Sequence, residues 1–570
     1  MAKKSGRTVA IGVQNFETII RNDYFYVDKT GFIKEWWENG DSVTLIARPR
    51  RFGKTLNMNM LEMFFSNQYK KQEELFQNLE IWKDEEMKKL AGEYPVIFFS
   101  FASVKDVSCD KAILSICDIL KELYINNCYL LQSDKLVDEE KVFYKKMMSD
   151  ITEDEAKKAI YHLSGYMYKH FGKRVLILLD EYDTPMQEAY ISGYWDDFTV
   201  FIRNMFNSTF KTNPYLERAV MTGITRVSKE SIFSDLNNLA VVTTTSKPYA
   251  TSFGFTETEV YTAMDELGLT DKVGVKKWYD GFVFGDVSDI YNPWSIINYF
   301  KHKTLGTYWA NTSSNSLVGK LIRESGAKTK KLFECLIEDK TIEVPVDEQI
   351  VYKHLDNSEG AIWSLMLATG YLKVLNYQTG EEYIGNRKPM YELALTNEEV
   401  KMMFYQMVSD WFERVDDYYN DFIKALVIND LKAMNVYMNR VSQSIFSYFD
   451  TGKGPLGAEP EKFYHGFVLG LMVDMSKDYQ VRSNRESGFG RYDIMIYPKE
   501  LNKGDGIIIE FKVRADDEKD LNETVQEALK QIEDRNYATE LIALGFKEEN
   551  IRKYGFAFEG KKVLIGQNSK

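Results

Sequence analysis

The sequence predicts a multidomain α/β protein with a parallel sheet in its first part. The chain has 570 residues, more than one hydrophobic core usually organises, so roughly two to four domains are expected. Two apolar runs, at residues 45–47 and 175–179, end in polar residues, as strands of a parallel sheet do at their carboxyl ends. A stretch rich in glycine and proline, residues 451–460, separates a last segment from the rest.

The composition indicates a folded protein. Hydrophobic residues make up 44% of the chain and aromatic residues 14%, which argues against disorder. The net charge of −13 excludes a protein that coats nucleic acid non-specifically, so any DNA or RNA contact needs a local basic patch. Four cysteines without metal-site spacing predict buried free thiols. No apolar run is long enough to span a bilayer, and none follows the basic N-terminus, so we expect a soluble, cytoplasmic protein without a membrane partner.

The polar residues that follow the first apolar run have the pattern of a phosphate-binding loop. Residues 45–55 read Leu-Ile-Ala-Arg-Pro-Arg-Arg-Phe-Gly-Lys-Thr, and a helix-compatible sequence follows. Binding of the β and γ phosphates and Mg²⁺ needs backbone N–H groups at a helix N-terminus, a lysine and a hydroxyl. Gly53, Lys54 and Thr55 supply the second half of GxxxxGK[ST], but Arg48 stands where the first glycine is expected. The competing interpretation is an ordinary helix start.

The polar residues that follow the second apolar run include the acids that such a site needs. Five apolar residues are followed directly by Asp180 and Glu181. In an ATPase, Asp180 would hold Mg²⁺, and Glu181 would act as the general base that polarises the attacking water. The alternative is a buried strand ended by solvated acids. The upstream Gly-Lys-Thr favours the ATPase.

Two further groups bear on a nucleotide site. A third strand is predicted at residues 217–226, and an ATPase places a polar sensor of the γ-phosphate at the end of such a strand. Thr222 and Arg226 are the candidates for this role, and a strand-end threonine and a surface arginine without function are the alternative. The aromatic residues 24–26 would either flank an adenine or belong to the core, and the core is the more frequent outcome.

The middle region is predicted to be helical and to contain a winged-helix-like module. A helix over residues 362–371 is followed by two strand-like runs, 372–377 and 389–395, and a helix followed by a hairpin suits a winged helix. Such modules bind DNA or pack against an ATPase core. Because no basic recognition helix is present, the packing role is preferred.

The segment after the linker predicts a metal site. Glu510 and Lys512 lie two residues apart in a predicted strand and therefore share one face, and Asp493 opens the neighbouring strand of a hairpin. Asp493 and Glu510 would hold Mg²⁺ or Mn²⁺, and Lys512 would orient the water that attacks a phosphodiester. The alternative is a cross-strand ion pair at an exposed edge, since Asp…ExK is short and matches by chance.

Several motifs together identify a family. They are Tyr26-Val27-Asp28-Lys29-Thr30, the loop 48–55, Asp180-Glu181-Tyr182-Asp183-Thr184-Pro185, Thr222-Gly223-Ile224-Thr225-Arg226, Phe463-Tyr464-His465-Gly466 and Gly490-Arg491-Tyr492-Asp493. They resemble the bacterial AAA-ATPase-like proteins that carry a C-terminal PD-(D/E)xK nuclease-superfamily domain. In that family Arg-Pro-Arg-Arg-Phe-Gly-Lys stands in for the usual loop.

The resemblance implies the following organisation. Residues 1–290 would form a P-loop ATPase domain, 291–450 a helical and winged-helix-like region, 451–460 a linker, and 461–570 a restriction-endonuclease-like α/β domain. It implies ATP and Mg²⁺ binding at Lys54, Thr55 and Asp180, and a nuclease-like site at Asp493, Glu510 and Lys512.

Other residues near these sites have two interpretations each. Arg50 and Arg51, which with Phe52 and Gly53 complete the candidate ATP-binding loop, would contact phosphate in their own chain or lie at a subunit interface. Gln531 and Tyr537 would contact a nucleic-acid backbone or belong to the surface and the core. Glu461 and His465 would add to the metal site or serve a surface role.

The resulting hypothesis is that nucleotide state controls a metal-dependent nuclease. Its substrate would be DNA, with RNA not excluded, in defence against foreign DNA or in mobile-element biology. A second hypothesis is an ATP-driven signalling switch whose terminal domain is a non-catalytic module that binds nucleic acid or a partner. A third is ATP binding without hydrolysis. The presence of all three residues of the metal triad favours the enzyme.

Overall fold

The computed structural model describes residues 7–225, 233, 236–310, 316–347, 359–377, 389–413, 416–449, 466–468, 470–471, 473–487, 490–515 and 517–568. The chain forms two compact units, the first from Met1–Val318 with Thr341–Lys401 and the second from Gly319–Lys340 with Met402–Lys570. The predicted linker 451–460 lies outside the described residues, so the domain boundary placed there stays a prediction.

The first compact unit is built on a five-stranded sheet. Its strands are β1 (Val43–Ala47), β2 (Val96–Ser100), β3 (Val175–Asp180), β4 (Leu216–Gly223) and β5 (Leu239–Val242). They follow the order β2-β3-β4-β1-β5, and every neighbouring pair is parallel. β1 and β3 are buried at every residue, as expected of strands covered on both faces. The predicted parallel sheet is confirmed, and β4 lies between the strand that precedes the loop and the strand that ends in the acids.

Helices connect and cover these strands. They are α1 (Phe16–Arg21), α2 (Gly31–Asn39), α3 (Lys54–Phe65), α4 (Glu85–Lys88), α5 (Cys109–Asn126), α6 (Asp138–Met147), α7 (Glu153–Ala156), α8 (Ala159–Phe171), α9 (Thr184–Ser192), α10 (Trp195–Phe206), α11 (Glu257–Leu267), α12 (Lys272–Tyr279) and α13 (Pro293–His302). A small antiparallel sheet in the order β6-β8-β7 is formed by β6 (Phe255–Thr256), β7 (Phe282–Phe284) and β8 (Val287–Tyr291). α13 has the start signals expected of a helix, because Asn292 accepts a hydrogen bond from the Ser295 amide and Pro293 occupies the first helical position.

The middle of the chain contains the predicted helix and hairpin. Its elements are α14 (Ser316–Glu324), α15 (Ala327–Ile337), β9 (Ile342–Pro345), α16 (Glu359–Ala368), β10 (Leu372–Tyr377), β11 (Met390–Leu395) and α17 (Glu398–Glu413). The strands form an antiparallel sheet in the order β10-β11-β9. The helix before the hairpin and both hairpin strands are confirmed.

The second compact unit contains a mixed sheet. Its remaining elements are α18 (Asp416–Ile428), α19 (Leu431–Phe449), β12 (Tyr479–Ser487), β13 (Gly490–Pro498), β14 (Gly506–Val513), helices Leu521–Asp534 and Thr539–Ala543, β15 (Ile551–Glu559) and β16 (Lys562–Gln567). The strands lie in chain order, and only the pair β14 and β15 is parallel. The C-terminal α/β fold is thereby confirmed.

Helix α19 covers the edge strand β16 through its asparagines. The side chain of Asn435 exchanges hydrogen bonds of 2.9 and 2.8 Å with the backbone of Ile565, and Asn439 does the same with Val563 at 2.6 and 2.9 Å. Side-chain amides on one helix face thus satisfy backbone groups that an edge strand otherwise exposes. The sequence prediction places α19 in the middle region, whereas the structure packs it on the terminal sheet.

Two expectations about cysteines and membranes have outcomes in the structure. All four cysteines are free, but only Cys117 is buried and Cys128 is exposed, so the expectation of buried thiols is wrong for Cys128. In the part of the chain that the structure describes, no helix has the length and apolar character that crossing a membrane requires.

Candidate nucleotide-binding and nuclease-like sites

The candidate phosphate-binding loop lies between β1 and α3. Gly53 has a φ of 80°, a left-handed conformation that favours glycine, and α3 begins at the next residue. The Lys54 side chain is buried, and its Nζ donates to the backbone oxygens of Arg48 and Pro49 at 3.0 and 2.9 Å. Burial lowers the pKa of Lys54, and the nearby Glu181 carboxylate opposes this shift. The loop therefore curls around an ammonium group at a helix N-terminus.

Asp180 connects the loop to the neighbouring strands. Its Oδ2 accepts a hydrogen bond of 2.7 Å from the Thr55 hydroxyl, and its Oδ1 accepts one from the Thr222 hydroxyl. Burial raises the pKa of Asp180, and these two hydroxyls oppose the rise. A threonine hydroxyl beside a carboxylate is the kind of oxygen ligand pair that Mg²⁺ takes. The residues present therefore fit the predicted ion, with Thr55 and Asp180 as its holders.

Glu181 follows in an unusual backbone conformation. Its φ is 54°, which costs a non-glycine residue on the order of 1 kcal/mol. Its Oε2 accepts a hydrogen bond of 2.9 Å from the Thr184 hydroxyl. Burial would raise the pKa of Glu181, but Lys54, the Thr184 hydroxyl and Arg50 outweigh it, so the pKa is lowered. Glu181 is thus a half-buried carboxylate that stays ionised.

A cavity of about 640 Å³ brings these residues to one place. Its polar lining includes Lys54, Thr55, Asp180, Glu181 and Lys105, and its apolar lining includes Val13, Tyr24, Phe25, Tyr26, Val27, Phe255, Pro293, Trp294 and Ile297. Mixed linings of this kind are typical of small-molecule sites. The aromatic residues 24–26 line the cavity, and Phe25 and Tyr26 also pack on Phe300 and Phe16. Their contact with an adenine stays a prediction.

The three residues before Gly53 face different surroundings. The Arg50 guanidinium donates to Gln187 at 3.2 Å. The guanidinium of the exposed Arg51 lies 4.5 Å from the centre of the Trp294 ring. Phe52 is buried against Phe282, with ring centres 4.7 Å apart. Phe52 therefore offers the cavity mainly its backbone, and the subunit-interface interpretation of the arginines stays a prediction.

The buried side chain of Arg48 explains how the loop manages without its first glycine. Its Nη1 donates to the backbone oxygens of Ala47 and Thr243 at 3.0 and 2.7 Å, and its guanidinium lies 4.4 Å from the Phe284 ring centre. The Arg48 amide donates to Gly223 O at 3.1 Å. The arginine thus continues the sheet and directs its side chain into the core rather than toward the cavity.

The candidate sensor residues have different outcomes. Thr222 is fully buried and donates to Asp180. Its hydroxyl therefore holds the Asp180 carboxylate, which lines the cavity. Arg226 lies outside the described residues, and its role stays a prediction.

Asp183 is a residue of this site that the sequence reasoning missed. Its Oδ2 accepts hydrogen bonds from the amides of Ile224 and Thr225 at 3.0 and 2.8 Å and from the Thr225 hydroxyl at 2.8 Å. The Tyr182 hydroxyl donates to Thr225 O at 2.7 Å. The acidic segment therefore holds the turn that leads to Arg226. The available signal was the third acid in Asp-Glu-Tyr-Asp, directly before a Thr-Pro helix start.

Replacing Gly223 with alanine is expected to destabilise this turn. An added Cβ would lie 2.6 Å from Asp183 Oδ1 and from a ring carbon of Tyr182. Overpacking of this kind costs about 1 to 3 kcal/mol, measurable as a lower free energy of unfolding in denaturant. Gly31→Ala is the matched control, because a Cβ at Gly31 meets no atom within 4 Å. Equal stability of the two variants would contradict the close approach.

In the second compact unit, the structure brings Asp493, Glu510 and Lys512 together. The pairing of Ile494 with Ile509 places Asp493 beside Glu510 on adjacent antiparallel strands. Asp493 Oδ2 accepts a hydrogen bond of 2.7 Å from the Phe511 amide. Burial and then the Asp493 charge raise the pKa of Glu510 to about 8, and Lys512 opposes the rise.

One carboxylate oxygen of Glu510 lacks a hydrogen-bond partner among the described residues. Its Oε1 accepts a hydrogen bond from Gln531, which also donates to the Tyr537 hydroxyl at 3.3 Å. Among the described residues its buried Oε2 has no hydrogen-bond partner, and an unpaired buried carboxylate oxygen is costly. Asp493 and Glu510 therefore fit a divalent cation. Gln531 holds Glu510, and Tyr537, which accepts a hydrogen bond from Gln531, lies in the core as one of its two interpretations expects.

The structure does not describe the remaining candidate ligands. The described residues contain no group of three or more Asp, Glu, His or Cys side chains placed to hold a metal ion. Glu461 and His465 fall outside the described residues, so their contribution stays a prediction.

Two family models match the chain, one in each of the regions that hold these sites. Residues 10–233 match the family model described as predicted AAA-ATPase, and residues 459–568 match that of the PD-(D/E)XK nuclease superfamily. These matches confirm the resemblance that the motifs predict. The chain is also 25% identical over 555 residues, 95% of each chain, to an uncharacterized protein in the vnfD 5′ region of Azotobacter chroococcum mcd 1.

Proposed function

We propose that the protein binds and hydrolyses ATP in its AAA-ATPase-like domain, and that nucleotide state controls a metal-dependent nuclease in its terminal domain. The observation that supports this is the coexistence in one chain of two buried sites, each with the residues for one of these reactions. The proposed substrate is cytoplasmic DNA, in defence against foreign DNA or in mobile-element biology.

The residues of the first site have distinct roles in ATP hydrolysis. The loop N–H groups and the Lys54 ammonium bind the phosphates, and Thr55 and Asp180 hold Mg²⁺. The ion stabilises negative charge on the transferring phosphoryl group. Glu181, kept ionised by Lys54, takes the proton of the attacking water. Thr222 keeps the Asp180 carboxylate in place through its hydrogen bond.

The residues of the second site fit phosphodiester hydrolysis. Asp493 and Glu510 would hold the cation, which would stabilise charge on the phosphate and help to activate the attacking water. Lys512 orients that water, and Gln531 holds Glu510 by donating to its Oε1.

Metal binding at the second site is expected to strengthen as the pH rises toward 8. The pKa of Glu510 is raised to about 8, so below that pH a proton must leave before the carboxylate binds a cation. The apparent Mn²⁺ affinity should increase up to about tenfold per pH unit from roughly pH 6 and level off above the pKa. Isothermal titration calorimetry across this range measures the slope. A Glu510→Gln variant should bind Mn²⁺ weakly and without this dependence on pH. A wild-type Mn²⁺ affinity that does not change with pH would contradict the assignment of Glu510 as a metal ligand.

The nuclease half is tested by incubating the full-length protein with supercoiled DNA and Mn²⁺ or Mg²⁺. Cleavage is the expected result. If DNA and RNA both stay intact with metal and ATP, the second candidate function, an ATP-driven switch with a non-catalytic terminal module, moves ahead. One observation favours that candidate: only two carboxylates are brought together in the described part of the terminal site.

A further inference from the structure

Glu399, in the first turn of α17, fixes two separate segments with one carboxylate. The side chain is fully buried. Its Oε1 accepts hydrogen bonds from the consecutive amides of Tyr308, Trp309 and Ala310 at 2.5, 2.6 and 3.4 Å. Its Oε2 accepts one of 2.7 Å from the Ser295 hydroxyl. Residues 308–310 and the start of α13 are therefore tied to the same group.

Each of these two segments carries a tryptophan that contacts the phosphate-binding loop. The indole N–H of Trp309 donates to Arg50 O at 3.1 Å. The Trp294 ring lies 4.5 Å from the Arg51 guanidinium, and its indole N–H donates to Tyr308 O at 3.3 Å. Both segments thus hold the loop and are joined to each other.

The loop needs such support at this point. Arg51 has a φ of 65°, and a non-glycine residue keeps this strained conformation only when its surroundings impose it. The two tryptophan contacts are made at the strained residue Arg51 and at its neighbour Arg50. Without them the turn would relax toward an ordinary conformation.

We propose that Glu399 is a positioning residue for nucleotide binding, acting through Trp309 and Trp294 on the Arg50–Arg51 turn. By fixing this turn it presents the loop N–H groups and Lys54 to the phosphates, so the position of the first turn of α17 sets the affinity for nucleotide. This inference rests on the proposed ATP-binding function. Glu399 lies outside the segment 10–233 that matches the ATPase family model.

The first test is amide hydrogen exchange of the full chain without nucleotide. Trp309→Phe keeps a buried ring and removes the hydrogen bond to Arg50 O. The amides of residues 50–53 are expected to exchange about 3- to 10-fold faster, the effect of one lost hydrogen bond. Trp36→Phe is the matched control, because Trp36 is equally buried and its indole nitrogen has no acceptor among the described residues. Unchanged exchange at residues 50–53 in Trp309→Phe would overturn the proposal.

The second test separates positioning from general stability. Glu399→Leu removes the acceptors of the backbone amides and should bind ATP about 3- to 10-fold more weakly than wild type, as should Trp309→Phe, whereas Glu399→Gln keeps an acceptor and should bind ATP more tightly than Glu399→Leu. Wild-type ATP affinity in either Glu399→Leu or Trp309→Phe would overturn the proposal. If wild type itself binds no ATP, the proposed function fails, and the exchange result alone shows whether the loop is held.

Discussion

Lys54→Ala is expected to lower the affinity for ATP by at least about a hundredfold, since charge-assisted contacts to phosphate are among the strongest polar interactions. Lys54 is the ammonium around which the loop curls, and it shares its cavity with Asp180 and Glu181. Titration of the purified protein with a fluorescent ATP analogue and Mg²⁺ measures the change.

The control for this variant is an exposed lysine elsewhere in the same compact unit. Lys34 pairs with Asp84 on the surface, and Lys34→Ala should bind ATP like wild type. Burial already disfavours the Lys54 ammonium, so its removal should not unfold the protein, which thermal unfolding would verify. A folded Lys54→Ala variant that binds ATP within about threefold of wild type would refute the nucleotide site.

Glu510→Gln is expected to lower the rate of DNA cleavage by about a thousandfold or more, because the amide cannot replace a metal-binding carboxylate. The substitution preserves size and the contact with Gln531. Initial rates on supercoiled DNA at a fixed Mn²⁺ concentration measure the loss. Glu500→Gln serves as the control, because Glu500 is exposed and pairs with Lys503 on the surface. Cleavage by Glu510→Gln at the wild-type rate would place any nuclease activity elsewhere.

The dependence of stability on pH distinguishes a loss of catalysis in Glu510→Gln from a loss of folding. The pKa is raised from 4.5 to about 8, so the folded state holds a proton that the unfolded state has lost over this range. Wild type therefore loses stability as the pH rises through this window, and Glu510→Gln does not. An inactive variant that is at least as stable as wild type at pH 8 would show that chemistry, rather than folding, was removed.

The local sequence pattern was sufficient to predict the parts of a site that are built from contiguous residues. The apolar run of β3 predicted its burial. The acids that follow it predicted that Asp180 shares a site with Thr55, and the two side chains are hydrogen-bonded in the structure. In the terminal domain, the two-residue spacing of Glu510 and Lys512 predicted a shared strand face. Each of these inferences depends only on strand periodicity and on where the chain leaves a sheet.

The local sequence pattern could not predict contacts between distant parts of the chain. Arg48 looked like a defect in the loop because its partner Thr243 lies 195 residues away. Glu399 meets Trp309 at a separation of 90 residues, and a buried carboxylate that accepts backbone amides has no local signature. Gln531 could not be assigned to Glu510 before the packing of its helix on β14 was known. These residues support the sites by tertiary contacts that periodicity does not encode.

Control of the nuclease by nucleotide state is measured as the DNA cleavage rate during an ATP titration at constant free Mn²⁺. Wild type, Lys54→Ala and Glu510→Gln are compared in one series. The wild-type rate is expected to change with ATP and to reach half of its change near the measured dissociation constant. Lys54→Ala is expected to show no response to ATP, and Glu510→Gln is expected not to cut. A wild-type rate that is independent of ATP, or the same ATP response in Lys54→Ala, would contradict control of the nuclease by nucleotide state.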